Sequence, residues 1–207
     1  MATFTPPGSV LTVMAHPDDA ELWAGGTLAL CAAAGAATTI AVPRHPEPRA
    51  TEAAAGAAVL GAGLYQIEHA TAAALGELLR ETRPEVVITH PLRDVHPDHR
   101  HIVEALLDAL PEVVIATGYP RRVYTTDSYN GLTLDGPVSA HTIVDITDTW
   151  GAKRRAVAAH VSQPVAEHFG PMAETLARLW GARIGVAYAE NFIPLPVLGR
   201  LPAATAL

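Results

Sequence analysis

Short apolar, β-branched runs alternate with alanine-rich stretches along the chain. "SVLTVMA" (9–15), "TTIAVPR" (38–44) and "PEVVITH" (84–90) are nearly unbroken apolar runs, the pattern of strands buried on both faces. "EVVIAT" (112–117), "RRVYTTDS" (121–128) and "SAHTIVDIT" (139–147) predict further strands. Helices are predicted over 20–36, 48–62, 71–83, 97–110, 148–163 and 171–190, with Gly61 and Pro84 as stop signals. Pro- and Gly-bearing loops fall at 43–48, 117–120 and 164–171, and "IPLPVLGRLPAATAL" (193–207) reads as a C-terminal tail. Strand–helix alternation implies right-handed βαβ units. The expectation is one α/β domain over 1–207, with a mostly parallel sheet and helices on both faces.

Composition narrows the partners. At 207 residues and 49 % hydrophobic content the chain can bury one sizeable core. A formal net charge of −7 without any Lys/Arg cluster argues against nucleic acid or an anionic membrane surface. A single cysteine, Cys31, excludes an intrachain disulfide and fits a reducing compartment. The N-terminus shows no basic region followed by an apolar stretch, and no run is long enough to span a bilayer, so a cytoplasmic location is expected. Ten histidines are the unusual count.

Several of them sit with aspartates where strands end. In "VMAHPDDAELWAGGTLA" (13–29), His16, Pro17, Asp18 and Asp19 follow the first strand directly. One aspartate would serve as a helix N-cap. Two adjacent aspartates beside a histidine exceed what a cap needs, and a divalent cation would relieve their repulsion. "VITHPLRDVHPDHRHIVEAL" (87–106) repeats the arrangement after the third strand, with His90, Asp94, His96, Asp98, His99 and His101 within twelve residues. An open zinc site needs about three protein ligands. His16, Asp19 and one histidine of "HPDH" would supply them, leaving Asp18 as a base and His96 as an oxyanion or leaving-group partner. His45, His69, His101, His141 and His168 read as loop or surface residues, and His90 either lines the pocket or ends its strand. There is no HExxH or CxxC motif.

"AHPDDAELWAGGTLA" together with "HPDHRHIVEAL" resembles the LmbE-like (PIG-L) family of zinc-dependent N-deacetylases. "RATEAAAGAAVLG" (49–61), "VDITDTWGAKRRAVAAHVSQ" (144–163) and "AYAENF" (187–192) extend the likeness over most of residues 10 to 192. The resemblance implies a Rossmann-like domain and a hydrolase that removes an N-acetyl or related acyl group from an amino sugar or amino-sugar-containing metabolite. It implies His16, Asp19 and His99 as ligands of Zn2+ (or Fe2+), Asp18 as general base, His96 as stabiliser of the tetrahedral intermediate, and Asp98 as the group orienting His96. Arg49 matches a substrate-contact position, and Asp94 and His90 are placed with it at the substrate. Glu21 is given a supporting role, with a first-turn helix acid as the plain alternative.

The chain departs from the family in "AVPRHPEPRA" (41–50), a short proline-rich loop beside the substrate pocket, and in the brief segment between 61 and 73. The expected consequence is an open pocket or one completed by a second copy in a homo-oligomer. Another amide or C–N bond of secondary metabolism, or a zinc-binding homologue without catalysis, stays open as an alternative. A nucleotide-binding reading of Gly25 and Gly26 fails, because the GxGxxG spacing is absent and the preceding turn is acidic.

Overall fold

The computed structural model describes residues 5–202, so residues 203–207 of the expected tail lie outside the described residues. The chain runs β1 (Ser9–Val13), α1 (Asp19–Ala33), β2 (Ala37–Pro43), α2 (Arg49–Leu60), β3 (Gly63–Ile67), α3 (Ala72–Thr82), β4 (Val86–Thr89), α4 (Pro97–Thr117) and β5 (Arg122–Thr125). A small hairpin of β6 (Leu132–Thr133) and β7 (Gly136–Pro137) follows. The chain then continues through β8 (Thr142–Asp145), α5 (Trp150–Val157), α6 (Val165–His168), α7 (Gly170–Ile184) and β9 (Ala189–Leu195). Seven strands form one sheet in the order β3-β2-β1-β4-β5-β9-β8.

The three apolar runs form the centre of this sheet, for the reason their pattern suggests. Leu11 and Val13 of β1 and Val87 of β4 face the cluster beneath α3 and α4, with Leu75, Leu79, Ile102 and Leu106. Val10, Ile40, Val42, Val86 and Ile88 face the opposite cluster, with Leu28 of α1 and Leu60 of α2. Strands buried on both faces leave no polar side to alternate with. Thr12 is the buried polar residue of β1, its hydroxyl directed at the Thr39 carbonyl (3.4 Å).

Several readings are corrected or completed. Residues 112–117 are helix, not strand: α4 runs unbroken through Pro111. Its buried residues Ile102, Val103, Leu106, Ala109, Leu110 and Val113 recur at helical spacing, and burying that face outweighs the β-branched preference of Val113, Val114 and Ile115. Residues 189 and 190 are strand, because Gly185 takes φ 77° and ends α7 at Ile184. The last strand also takes in Ile193, Pro194 and Leu195. The edge strand β3 escapes the pattern because only its last residue, Ile67, is fully buried. Finally, β9 runs antiparallel to both β5 and β8. Helices α5, α6 and α7 separate β8 from β9, and the chain returns to enter the sheet between β5 and the edge strand β8.

Strand order reverses between β1 and β4, whose successors lie on opposite sides of β1. The crevice at the carboxyl ends of those strands is where open α/β sheets hold ligands. The loops that leave β1 and β4 carry the two Asp/His motifs.

Helix α1 approaches the β8–α5 connection closely. A Cβ on Gly26 would lie 2.6–2.8 Å from three atoms of Ile146. Gly26→Ala is therefore expected to destabilise the protein by about 1–3 kcal/mol through overpacking, read as a lower urea midpoint at unchanged slope.

Candidate metal centre

Asp18 occupies the N-cap position of α1, and its backbone carbonyl accepts the Leu22 N–H (3.0 Å). Its side chain caps nothing. The carboxylate that closes this turn belongs to Asp19, whose Oδ2 accepts the His16 N–H (2.8 Å). One aspartate thus shapes the turn, while the side chain of the other takes no part in it and lies beside Arg49.

Asp19 Oδ2 is also the point on which the imidazoles converge. It lies 3.1 Å from His16 Nδ1, 3.4 Å from His99 Nε2 and 3.2 Å from His90 Nε2. His16 Nδ1 and His99 Nε2 are 3.3 Å apart. An ion held at about 2.0–2.1 Å by tetrahedral ligands sets the ligand atoms about 3.3 Å apart. The His16–Asp19–His99 donor set matches that spacing and joins two nitrogens to one carboxylate oxygen, a set suited to zinc or iron(II). Two overlapping groupings, His16–His96–His99 and Asp19–His90–His99, are also close enough to share an ion.

The outer partners favour His16 and His99. His16 Nε2 faces Asp98 Oδ2 at 3.3 Å, and His99 Nδ1 faces Asp94 Oδ1 at 3.3 Å. Each histidine therefore presents one nitrogen to the shared space and the other to a carboxylate, as metal-ligating histidines do. Asp94 is itself fixed, accepting the His96 N–H (2.8 Å) and the Ser128 hydroxyl (3.1 Å). His90 is committed otherwise: its Nε2 faces the Ala15 N–H (3.1 Å) as well as Asp19, and its ring stacks on His99 at 3.7 Å.

These contacts change three expected roles. Asp98 does not chiefly orient His96; its carboxylate is nearer His16 Nε2 (3.3 Å) than His96 Nδ1 (4.0 Å). The cause is local, because His96 caps α4 through Nδ1, which accepts the Asp98 N–H (3.2 Å). Asp94 is only 1 % exposed and is taken up by His99, His96 and Ser128, so it has no surface for a substrate. His90 is 0 % exposed and packs behind the ligand set. Arg49, at the start of α2, does stand at the site, its Nη2 3.6 Å from Asp18 Oδ2. Tyr129, which no motif flagged, stacks over His99 at 5.9 Å and meets Trp23 edge-on. Its place depends on a turn after β5 that has no periodic signature.

The electrostatics follow from this crowding. Burial opposes the ionised form of Asp19, but His90, His16 and His99 outweigh it and hold its carboxyl well below the usual range. Burial, reinforced by Asp19, raises Asp18, against the pull of His160, Arg49 and His16. Burial and the neighbouring His99 and His16 lower His96. A neutral His96 whose Nδ1 accepts the Asp98 N–H carries its proton on Nε2 and is a donor there. Burial pulls His99 down, yet Asp19 and Asp94 outweigh it and push it up to about 9.

Residues 11–110 match the PIG-L family, GlcNAc-PI de-N-acetylase, a span that contains every candidate ligand. Among solved structures the chain is similar to GalB, the 4-carboxy-2-hydroxymuconate hydratase of Pseudomonas putida. Identity is 23 %, with 96 % of this chain and 99 % of that one covered, at a TM-score of 0.76. It is similar to a conserved protein of Thermus thermophilus at 27 % identity, covering 95 % and 99 %, TM-score 0.76. It is also similar to the N,N'-diacetylchitobiose deacetylase of Pyrococcus horikoshii at 23 % identity, covering 93 % and 85 %, TM-score 0.69.

His99 must shed its proton to become a ligand. Zinc affinity is therefore expected to rise with pH up to about 9 and to fall on acidification by roughly tenfold per unit. Competition against a chelating dye over that range measures it. Asp94→Asn is expected to weaken binding by roughly 10- to 100-fold in the same titration.

Proposed function

Residues 11–110 carry the PIG-L family domain, and from that premise we propose that the chain is a metal-dependent hydrolase. Its reaction is removal of an N-acetyl or related acyl group from an amino sugar or amino-sugar-containing small molecule. The observation that carries this reading is the carboxylate of Asp18, which caps no helix, pairs with Arg49 and belongs to the residue next to Asp19, on which His16 and His99 converge. A zinc or iron(II) ion bound by those three residues supplies a Lewis acid and lowers the pKa of water toward about 7.

The remaining work falls to the chain. Asp18, with its basicity raised by burial, takes a proton from the attacking water. His96 donates through Nε2 to the oxygen that gains charge as water adds to the acyl carbon, a contact of a kind worth about 3 kcal/mol elsewhere. Asp98 and Asp94 keep His16 and His99 in the ring orientation that binding needs. Arg49 keeps Asp18 from turning toward solvent and offers donors to a substrate hydroxyl. When the C–N bond breaks, the proton held by Asp18 passes to the departing amine, and carboxylate and amine are the products. The chitobiose deacetylase and the deacetylase acting on A40926 pseudoaglycone lend support from similar folds.

A second reading is addition of water to a carbon–carbon double bond. It draws on the hydratase, which aligns over 96 % of this chain and 99 % of its own. The same base and acid would serve it. Either reaction takes a small, diffusible substrate, and no helix among the described residues is long and apolar enough to cross a membrane. Residues of a second copy would complete the rim if the chain is a homo-oligomer, and size-exclusion chromatography at the monomer mass would remove that possibility.

Zinc-loaded protein is expected to release acetate from a panel of N-acetylated amino sugars and to stop when a chelator is added. Loss of ultraviolet absorbance from an unsaturated dicarboxylate, without acetate release, would instead favour the hydratase reading. Asp18→Ala is expected to keep one zinc per chain by elemental analysis while losing about a hundredfold or more in kcat. Near-wild-type turnover in that variant would remove Asp18 as the base.

A further inference from the structure

Behind Asp18 lies a buried group of charges that the reaction as described does not use. Glu21, in the first turn of α1, is 0 % exposed and has no hydrogen-bond partner. Its Oε1 lies 3.3 Å from Nε2 of His160, itself 2 % exposed, in the turn that follows α5. A carboxylate in this position is costly unless a partner offsets its lost hydration.

One face of α2 is built around the pair. Arg49 reaches Asp18. One turn later, Glu52 accepts both the N–H and the hydroxyl of Ser162 (2.7 Å each), which pins the turn carrying His160 to the helix. One turn later again stands Gly56. A Cβ there would overlap Glu21 Oε1 and come within 3.0 Å of His160 Nε2. The glycine in the middle of a helix costs stability on its own account, and here it leaves the room in which Glu21 and His160 meet. The charge of Asp18 also acts on His160: burial disfavours the charged form of the ring, but Glu21, Asp18 and Glu52 together outweigh that and raise its pKa.

We propose that the Glu21–His160 pair, seated against Gly56, is a positioning device for the base. It locks the first turn of α1, and with it the carboxylate of Asp18, against α2 and the turn after α5. The three candidate ligands are held by other contacts, to Asp98, to Asp94 and to the His16 backbone. The pair therefore bears chiefly on the base, because the side chain of Asp19, in the same turn, is held separately by the His16 N–H and the imidazoles. The inference takes Asp18 as base from the reading above.

Glu21→Gln, His160→Gln and the double variant test it, with Gly56→Ala as a variant that separates the pair while keeping both groups. Zinc content and KM are expected to stay within about twofold of wild type, while kcat falls roughly ten- to a hundredfold, the scale of a misplaced catalytic group. The double variant should lose no more than either single one, because one device is removed in each case. Crystal structures of the zinc-loaded variants give a readout that needs no turnover: the Asp18 carboxylate should move from its wild-type place while His16, Asp19 and His99 superpose. If the wild type releases no acetate, the deacylase reading fails and the crystal structures alone decide the positioning role. Unmoved Asp18, unchanged kcat in a folded single variant, or losses that multiply in the double variant would overturn it. If both Gln variants fail to fold, Gly56→Ala carries the same expected outcomes.

Discussion

A single carboxylate oxygen organises this crevice. Asp19 Oδ2 has three imidazole nitrogens within 3.4 Å and the His16 N–H at 2.8 Å. Such crowding is stable only if positive charge gathers around that oxygen, as protons on the rings or as a cation in their place. The protein supplies protons in the first case, which is why His99 is pushed up to about 9. A divalent ion held by His16, Asp19 and His99 would supply that charge in place of the protons. The surrounding scaffold exists to bring one carboxylate from the β1 loop into line with histidines from the β4 loop. The parallel pairing of β1 with β4 provides that alignment at the switch point of the sheet.

Around that oxygen the structure separates two tasks that are adjacent in the chain. Asp18 and Asp19 are neighbours, yet the pKa of one is raised and that of the other is held low. Different surroundings drive them apart, so that one can accept a proton while the other stays ionised. Asp19 faces the histidines, whereas Asp18 faces Arg49 and the buried group behind it.

Much of this is legible in the residues alone. The double-sided apolar runs announce the central strands, and the HPDD and HPDH motifs sit where those strands end. His16, Asp18, Asp19, His96 and His99 come together because each motif is local and each loop is short. The outer contacts are not legible. That Asp98 serves His16, 82 residues away, follows from the way His96 caps α4, and the cap is invisible in composition. Asp94 offers no sign that Ser128 and His99 claim it. Helical burial overrides the strand-like look of residues 112–117, and Gly185 ends α7 earlier than its alanine content suggests. Glu21 stays unexplained in the sequence because its partner, His160, comes from the far half of the chain.

The antiparallel return of β9 has a consequence in time as well as in shape. Strands β1 to β4, the start of α4 and every candidate ligand lie within residues 9–99, so the candidate donors all come from the first half of the chain. His160 and the reversed strand arrive only with the last third. On the ribosome, which releases the chain from its N-terminus, all three candidate ligands emerge before His160 has been made. The sheet itself waits longest, because its last strand must enter between β5 and the edge strand β8 before the seven are joined.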